Sequence, residues 1–595
     1  MPFWLRRIVF AVGVGVVVGA VAALLVGPVR GVLGRGPDEQ ASPPPGASVT
    51  APAADTVVSG ADPVGRALTT SALLFDRAPV VVLAGAGDLA AQALAASAAV
   101  ELGAPLLLVP AATASAIPAP GPSPAAQTAR TPAARLAAEL VRLDARAVLA
   151  VGAAAAAAAA DLDVEVVPAA ATPRDVAAAA GTGPAPVTPV GTAGLLRAVA
   201  GLDRRAPQTL VVAEPTPTPQ GPTPSASAPV PAATSSPSAA PAGGRLPPTR
   251  PPAPLHDVVV LAAEADGDLA AAATARAAGA TVVVVRGHDP RADPDAIAAL
   301  ADAGPARVVA LGDGFGPAER LRRRVDVAAT GVQLPGGGQV VYPQRRIVAL
   351  YGQPGDAALG ALGEQPLEAA IARAAAVAAP YEALSEVPVV PAFEIIATVA
   401  SSEAGDDGDY SDEASVAQLR PWVEAAGDAG LYVVLDLQPG RSDFLTQAQR
   451  YAELLALPHV GLALDPEWRL GPDQVHLRQI GSVAVDEVNA VADWLAELTR
   501  SRDLPQKLLV LHQFRRSMIA ERERLDTGHD ELAVLIHADG NGSLPAKLET
   551  WRNLHADAPP GVWWGWKNFY DEDAPTPTPQ ETMAVEPQPL FISYQ

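Results

Sequence analysis

The chain has no cysteine among its 595 residues, which excludes disulfides, a thiol nucleophile, Cys-ligated zinc or iron–sulfur clusters and a lipid-modified N-terminal Cys. Positive charge is also short: 42 Lys and Arg stand against 64 Asp and Glu, and the net charge of -22 argues against a phosphate-backbone partner, so no nucleic acid is expected. No His-Glu-x-x-His, Gly-x-Ser-x-Gly or P-loop pattern occurs, which leaves metalloprotease, α/β-hydrolase and nucleotide triphosphatase chemistry without support. No metal or cofactor is expected. Hydrophobic residues make up 49%, ample for a core, and the 61 prolines force long non-helical connectors. At this length two or three domains are the prior.

The chain divides by composition. Arg6 and Arg7 precede an apolar run from Ile8 to Val29, long enough at 1.5 Å per residue to cross about 30 Å of hydrocarbon. Residues 1–30 are therefore expected to form a single-pass transmembrane helix that engages the lipid bilayer, with the bulk of the chain extracytoplasmic. A cleaved signal peptide, cut near Ala20-Val21-Ala22, is the rival reading. Residues 31–55 read as a Pro/Ala-rich stalk, and 214–254 as a disordered Pro/Thr/Ser-rich linker, either plain spacer or O-glycosylated. Between and after them, 56–213 and 255–340 alternate short apolar strands with Ala-rich helices, the pattern of parallel sheets covered on both faces. The two segments share one order of elements, so the expected fold class is α/β with a duplicated unit. Gly85-Ala86-Gly87 follows a strand and opens a helix, but no acid ends the next strand, so a tight turn is favoured over dinucleotide binding.

The stretches Gly65-Arg66-Ala67-Leu68-Thr69-Thr70-Ser71, Ala78-Pro79-Val80-Val81-Val82-Leu83-Ala84, Ala91-Gln92-Ala93-Leu94-Ala95-Ala96 and Leu102-Gly103-Ala104-Pro105-Leu106-Leu107-Leu108 resemble the cell wall-binding repeat 2 family. The resemblance spans residues 60 to about 168 and, more weakly, 255 to about 330. It implies a cell-wall polymer or polysaccharide as partner. Gln92 stands where the family usually has an acid, and two repeats are recognisable where the family usually has three.

Residues 341–595 hold most of the tryptophans and histidines, and their length suits one (β/α)8 barrel. Eight strands are expected: 347–351, 393–399, 431–437, 460–464, 507–512, 532–537, 562–566 and 590–593. Side-chain alternation turns Tyr432, Val434, Asp436 and Gln438 to one face, Gly461, Ala463, Asp465 and Glu467 to the interior of the next strand, and His537 and Asp539 to the interior of the sixth. Acids thus gather at the C-terminal ends of strands, where barrel enzymes keep their sites. Asp465-Pro466-Glu467 resembles the Asp-x-Glu that several glycoside-hydrolase barrels carry after strand four. The expected roles are Glu467 as general acid, Asp465 as its orienting partner and Asp436 as base or nucleophile. Trp468, Trp563, Trp564 and Trp566 are expected to offer flat faces to sugar rings, and Tyr351, Gln438, His512, Gln513, Asp539 and Lys567 polar contacts. Loop-capping acids and core tryptophans are the plain alternative, with the barrel then a non-catalytic binding or scaffold module. The acidic loop 403–413 lacks EF-hand spacing and reads as a solvated lid.

Overall fold

The computed structural model describes residues 44–60, 62–110, 131–213 and 244–595. Within them no helix is long and apolar enough to cross a membrane, and the expected anchor at 1–30 lies outside the described residues. Strands β1 (Thr56–Val58), β2 (Val80–Gly85), β3 (Leu106–Val109), β4 (Ala147–Val151), β5 (Glu165–Ala169), β6 (Val187–Val190), β7 (Thr209–Val212), β8 (Val258–Ala263), β9 (Thr281–Val285) and β10 (Arg307–Leu311) build the first half. They form two parallel sheets of one order, β3-β2-β4-β5 and β9-β8-β10-β1, plus a small parallel pair β6-β7 that the sequence reading did not separate. Because β1 lies against β10, the start of the first segment completes the sheet of the second.

Three helices cement these sheets: α1 (Pro63–Leu74), α2 (Leu89–Leu102) and α3 (Leu269–Ala277). Asp62 caps α1 by accepting the Gly65 N–H at 2.8 Å, with Pro63 in the first turn. α2 and α3 are apolar on all sides, which suits only a helix enclosed all round. Ten residues of α2, Ala91 to Val100, are buried, and so are eight of α3. Alanine is what makes the double burial feasible, since short side chains let packed helices lie close. Polar groups left at these contacts are satisfied. The Thr274 hydroxyl donates to the Leu106 carbonyl and accepts the Leu106 N–H, both at 3.0 Å. Gln92 donates to the carbonyls of Gly85 and Ala86, a donor role an ionised acid there could not play.

Ordered chain extends into both Pro-rich connectors. Ser48–Val49 pairs antiparallel with Phe75–Arg77, and Leu246 is buried with its N–H on the Ala179 carbonyl. Gly103 ends α2 in the left-handed region at φ 65, and a Cβ there would come within 2.7 Å of Pro251 and Pro252.

The second half is a closed barrel of eight parallel strands: β11 (Arg346–Gly352), β12 (Val389–Ala400), β13 (Tyr432–Leu437), β14 (Val460–Leu464), β15 (Lys507–Gln513), β16 (Leu532–Ala538), β17 (Trp563–Asn568) and β18 (Phe591–Tyr594). Neighbours pair in chain order, and β18 closes on β11. The eight expected strands are these eight. Outward side chains such as Val433, Leu435, Leu462 and Leu509 pack under the surrounding helices, and Ala349, Ala392, Val434, Ala463, Val510 and Leu535 fill the interior. At the N-terminal end Trp563 packs against Tyr342 as a plug, with ring centroids 5.7 Å apart. There the second α/β unit grips the barrel through Asp530, which meets Arg291 at 2.8 Å and Arg324 at 2.5 Å.

Thr274→Val keeps the shape of the α3 contact but strips both hydroxyl bonds and strands the buried Leu106 N–H. The expected cost is about 1–3 kcal/mol, read as a lowered urea midpoint for unfolding of the intact chain.

Candidate active site

Above the apolar interior layer, the next inward position on almost every strand is polar. Tyr351 ends β11, Glu394 lies on β12, Asp436 on β13 with Gln438 just past it, and Asp465 and Glu467 follow β14. His512 lies on β15, His537 on β16 with Asp539 just past it, and Lys567 on β17. They share one face because side chains alternate and parallel strands stand in register. His537 has room because Gly565 stands opposite it, where a Cβ would come within 2.7 Å of the ring.

A cavity of about 510 Å³ opens on this end of the barrel, lined by Tyr351, Gln438, Asp465, Glu467, Trp468, Asp539 and Lys567 among others. On its rim Trp468 stacks on His476, with centroids 4.8 Å apart and planes at 17°. Beneath the floor, Asp436 and His512 are fully buried. The Tyr351 hydroxyl donates to Asp436 Oδ2 at 2.9 Å and accepts from Gln438 Nε2 at 3.2 Å. Asp465 makes no capping bond to the turn it opens, and its Oδ1 has no partner, so helix capping does not explain it.

Six expected site residues are corrected, among them Trp563, which packs on Tyr342 at the opposite end of the barrel. Trp564 and Trp566 do not reach the cavity, because Gly565 and Lys567 are the inward positions of β17. Their rings pack instead on Trp551 of the helix Leu544–His555, each at 5.6 Å, and Trp564 also stacks on His555 at 3.5 Å. Gln513 follows inward-facing His512 and so points away, with its amide oxygen accepting from Arg522 at 3.3 Å. Asp436 and His512 belong to the centre but lie under its floor rather than on its surface. Glu394, which the sequence reading passed over, is fully buried among them. Its signal was available as the one charged residue in the twelve-residue apolar strand 389–400.

His512 joins the two sides of the barrel. Its Nε2 lies 3.0 Å from Glu394 Oε1 and 3.8 Å from Asp436 Oδ1, and its Nδ1 lies 3.1 Å from Asp539 Oδ2. His537 Nδ1 is 3.3 Å from His512 Nδ1, and its Nε2 is 3.3 Å from the Ser593 hydroxyl. Glu394, His512 and His537 bring candidate metal-ligating atoms within 4.8 Å of one another. Since each of the four ring nitrogens already has a protein partner, the trio is accounted for as a hydrogen-bonded chain.

The environment drives the acids apart. Burial, followed by the charge of Asp539, pushes Glu467 up to about 7. Burial, with Glu467 next, lifts Asp465 well above the usual carboxylate range, and burial also raises Asp436. For Asp539 burial pulls upward and is the largest single influence, but the hydrogen bond from His512 together with the charges of His512 and Lys567 outweighs it and holds the group below its ordinary value. For His512 burial opposes the charge, yet Glu394 and Asp436 overcome it and raise the imidazole well above 6.5. Burial and then His512 keep His537 neutral, well below that value. Asp539 lines the cavity wall; one of its oxygens is fixed by His512 and the other, Oδ1, is buried and makes no hydrogen bond. The site therefore pairs a proton-bearing acid with an ionised carboxylate that has an unbonded oxygen, the assignment that acid–base chemistry requires.

No protein-family model matches the sequence, and no curated protein resembles it. Among solved structures, Cwp6 from Clostridium difficile aligns with 64% of this chain at 13% identity and a TM-score of 0.33. The chain spans 63% of that protein's length, and the likeness is too distant to carry an activity.

Glu467 predicts its own stability signature. Its folded pKa is raised from 4.5 to about 7, so the folded state favours the protonated form, and that stabilisation is full below pH 4.5 and lost as pH rises through about 7. Glu467→Gln should match the wild type near pH 4.5 and exceed it above pH 7 by on the order of 3 kcal/mol, measured by denaturant titration at the two pH values.

Proposed function

We propose that the chain is an exported, envelope-associated glycan hydrolase. Its barrel would cleave glycosidic bonds of a cell-wall or surface polysaccharide, and its α/β half would hold it on the wall. The observation that carries the catalytic reading is that Glu467 and Asp539 line one cavity in opposite environments, Glu467 pushed up to about 7 and Asp539 held below its ordinary value with Oδ1 unbonded. Glu467 gives its proton to the leaving-group oxygen, and Asp539 supplies the carboxylate that acts on the sugar carbon or activates water. Burial and the charge of Asp539 raise the proton affinity of Glu467, and Asp465 lines the same cavity two residues before it. Asp436 stays one layer below, bonded to Tyr351, and supports the floor instead of reacting. Trp468, stacked on His476, presents an aromatic face at the rim, and Lys567, Gln438 and Tyr351 offer polar groups to hydroxyls. Wall association rests on the resemblance of residues 60–168 to cell wall-binding repeats, and export with a membrane anchor rests on the apolar run 8–29.

The test is release of reducing ends from purified Gram-positive cell walls by the intact chain. Glu467→Gln and Asp539→Asn should each lose about 100-fold or more in kcat, while Asp436→Asn should lose less. Activity should fall as pH rises through about 7, because the acid must hold its proton, and should persist below the ordinary carboxylate range before Asp539 is neutralised. Saturable binding to the walls without cleavage would make the barrel a binding module. Failure of the chain to sediment with the walls would remove the anchoring role.

A further inference from the structure

We propose that His512 is a positioning residue: its ring, gripped on opposite edges by Glu394 and Asp539, aims the Asp539 carboxylate into the cavity, and Glu394 acts on Asp539 only through it. The proposal rests on the reading of Asp539 as the reacting carboxylate.

The protonation of the ring follows from its partners. A carboxylate can only accept, and both ring nitrogens of His512 have carboxylate oxygens at 3.0 and 3.1 Å. With both carboxyls ionised, both nitrogens carry hydrogen and His512 is an imidazolium. Its Nδ1–H then also faces His537 Nδ1 at 3.3 Å, so His537 bears its proton on Nε2, toward Ser593. The raised proton affinity of His512 agrees with this order.

Every strand facing the ring contributes to the balance. Tyr351 lies edge-on with its centroid 6.1 Å away, Asp436 is 3.8 Å from Nε2, and Lys567 stands 3.9 Å from the same Asp539 oxygen that His512 holds. Asp465 and Glu467 add two further acids, whose protons keep them from competing for the imidazolium. Among these groups Glu394 is set apart. It is fully buried, takes no part in the cavity lining, and its hydrogen bond is to His512. A carboxylate in that place sustains the positive ring, and the ring fixes Asp539 Oδ2 while leaving Oδ1 free. Such holding of a reacting atom is worth much more in rate than in ground-state binding.

The test has two arms. Selective ¹⁵N-histidine labelling of the intact chain, with the His512 resonance assigned by its loss in His512→Gln, should show both ring nitrogens protonated at pH 8. A neutral His512 at that pH overturns the proposal, and if His512→Gln does not fold, Glu394→Gln identifies the resonance by its shift. In the second arm Glu394→Gln should lower kcat for reducing-end release from purified walls about tenfold, leave KM unchanged and move the acid limb of the pH profile upward. A merely structural Glu394 would lower stability without moving that limb, and an unmoved limb sinks the proposal. Asp539→Asn separates the two ideas: if it stays active, the hydrolase assignment falls, whereas if it is inactive and the Glu394→Gln limb is unmoved, only the positioning role falls. If the wild type cleaves no wall at all, the hydrolase reading fails and the NMR arm still decides whether the clamp exists.

Discussion

Five carboxyl groups crowd one end of the barrel, at the cavity and just beneath it, and His512 stands among them as their central hydrogen-bonded partner. Glu394 and Asp539 flank that ring at hydrogen-bond distance, and Asp436 lies just beyond. Like charges this close in a dry interior cannot all be ionised. The structure resolves the conflict by division. Asp539, bonded to the His512 ring, is held below its ordinary value, while Asp465 and Glu467, farther from the ring and buried beside each other, are pushed up and hold protons instead. The split between a donor acid and an acceptor carboxylate thus arises from one ring and its placement.

That placement in turn is a property of the barrel. Parallel strands in register put one inward side chain per strand at each level, so a layer of Ala349, Ala392, Val434, Ala463, Val510 and Leu535 supports a polar layer above it. The apolar layer keeps water from below, which strengthens every charge interaction in the polar one. Burying so many ionisable groups is costly to stability, and proteins that keep such a cost at a cavity generally use it there. Tyr351 and Gln438 fit this scheme, since their mutual bond and that to Asp436 tie the cavity wall to the buried layer beneath it.

Much of this was legible before any coordinates. Strands buried on both faces read as unbroken apolar runs, so all eight barrel strands stood out, and alternation placed Asp436, Gln438, Asp465 and Glu467 on the inner face. The failures came where the same rule was not carried through. Once Lys567 faces inward, Trp564 and Trp566 must face out, and once His512 faces inward, Gln513 must not. Tryptophans near a predicted rim drew attention for their chemistry, when their parity already assigned them to the helix side. Glu394 was missed for the opposite reason. An acid within an apolar strand looks like an interruption unless its partner is known, and His512 is 118 residues away. What no local pattern could supply was depth: whether an inward acid opens on the cavity, like Glu467, or lies beneath it, like Asp436.

The α/β half leaves the cavity end of the barrel open. Its Ala-rich helices spend their apolar surface on each other, as the burial of α2 and α3 on all sides shows. What it offers the barrel is a polar grip, in which Arg291 and Arg324 hold Asp530, with Gln339 and Gln506 bonded alongside. All of these barrel contacts lie just before strands β11, β15 and β16, at their N-terminal ends. In a parallel barrel that end carries stability and the other end carries chemistry. A module docked at the bottom fixes the barrel's orientation without entering the cavity, so whatever this half engages leaves the barrel's mouth unobstructed.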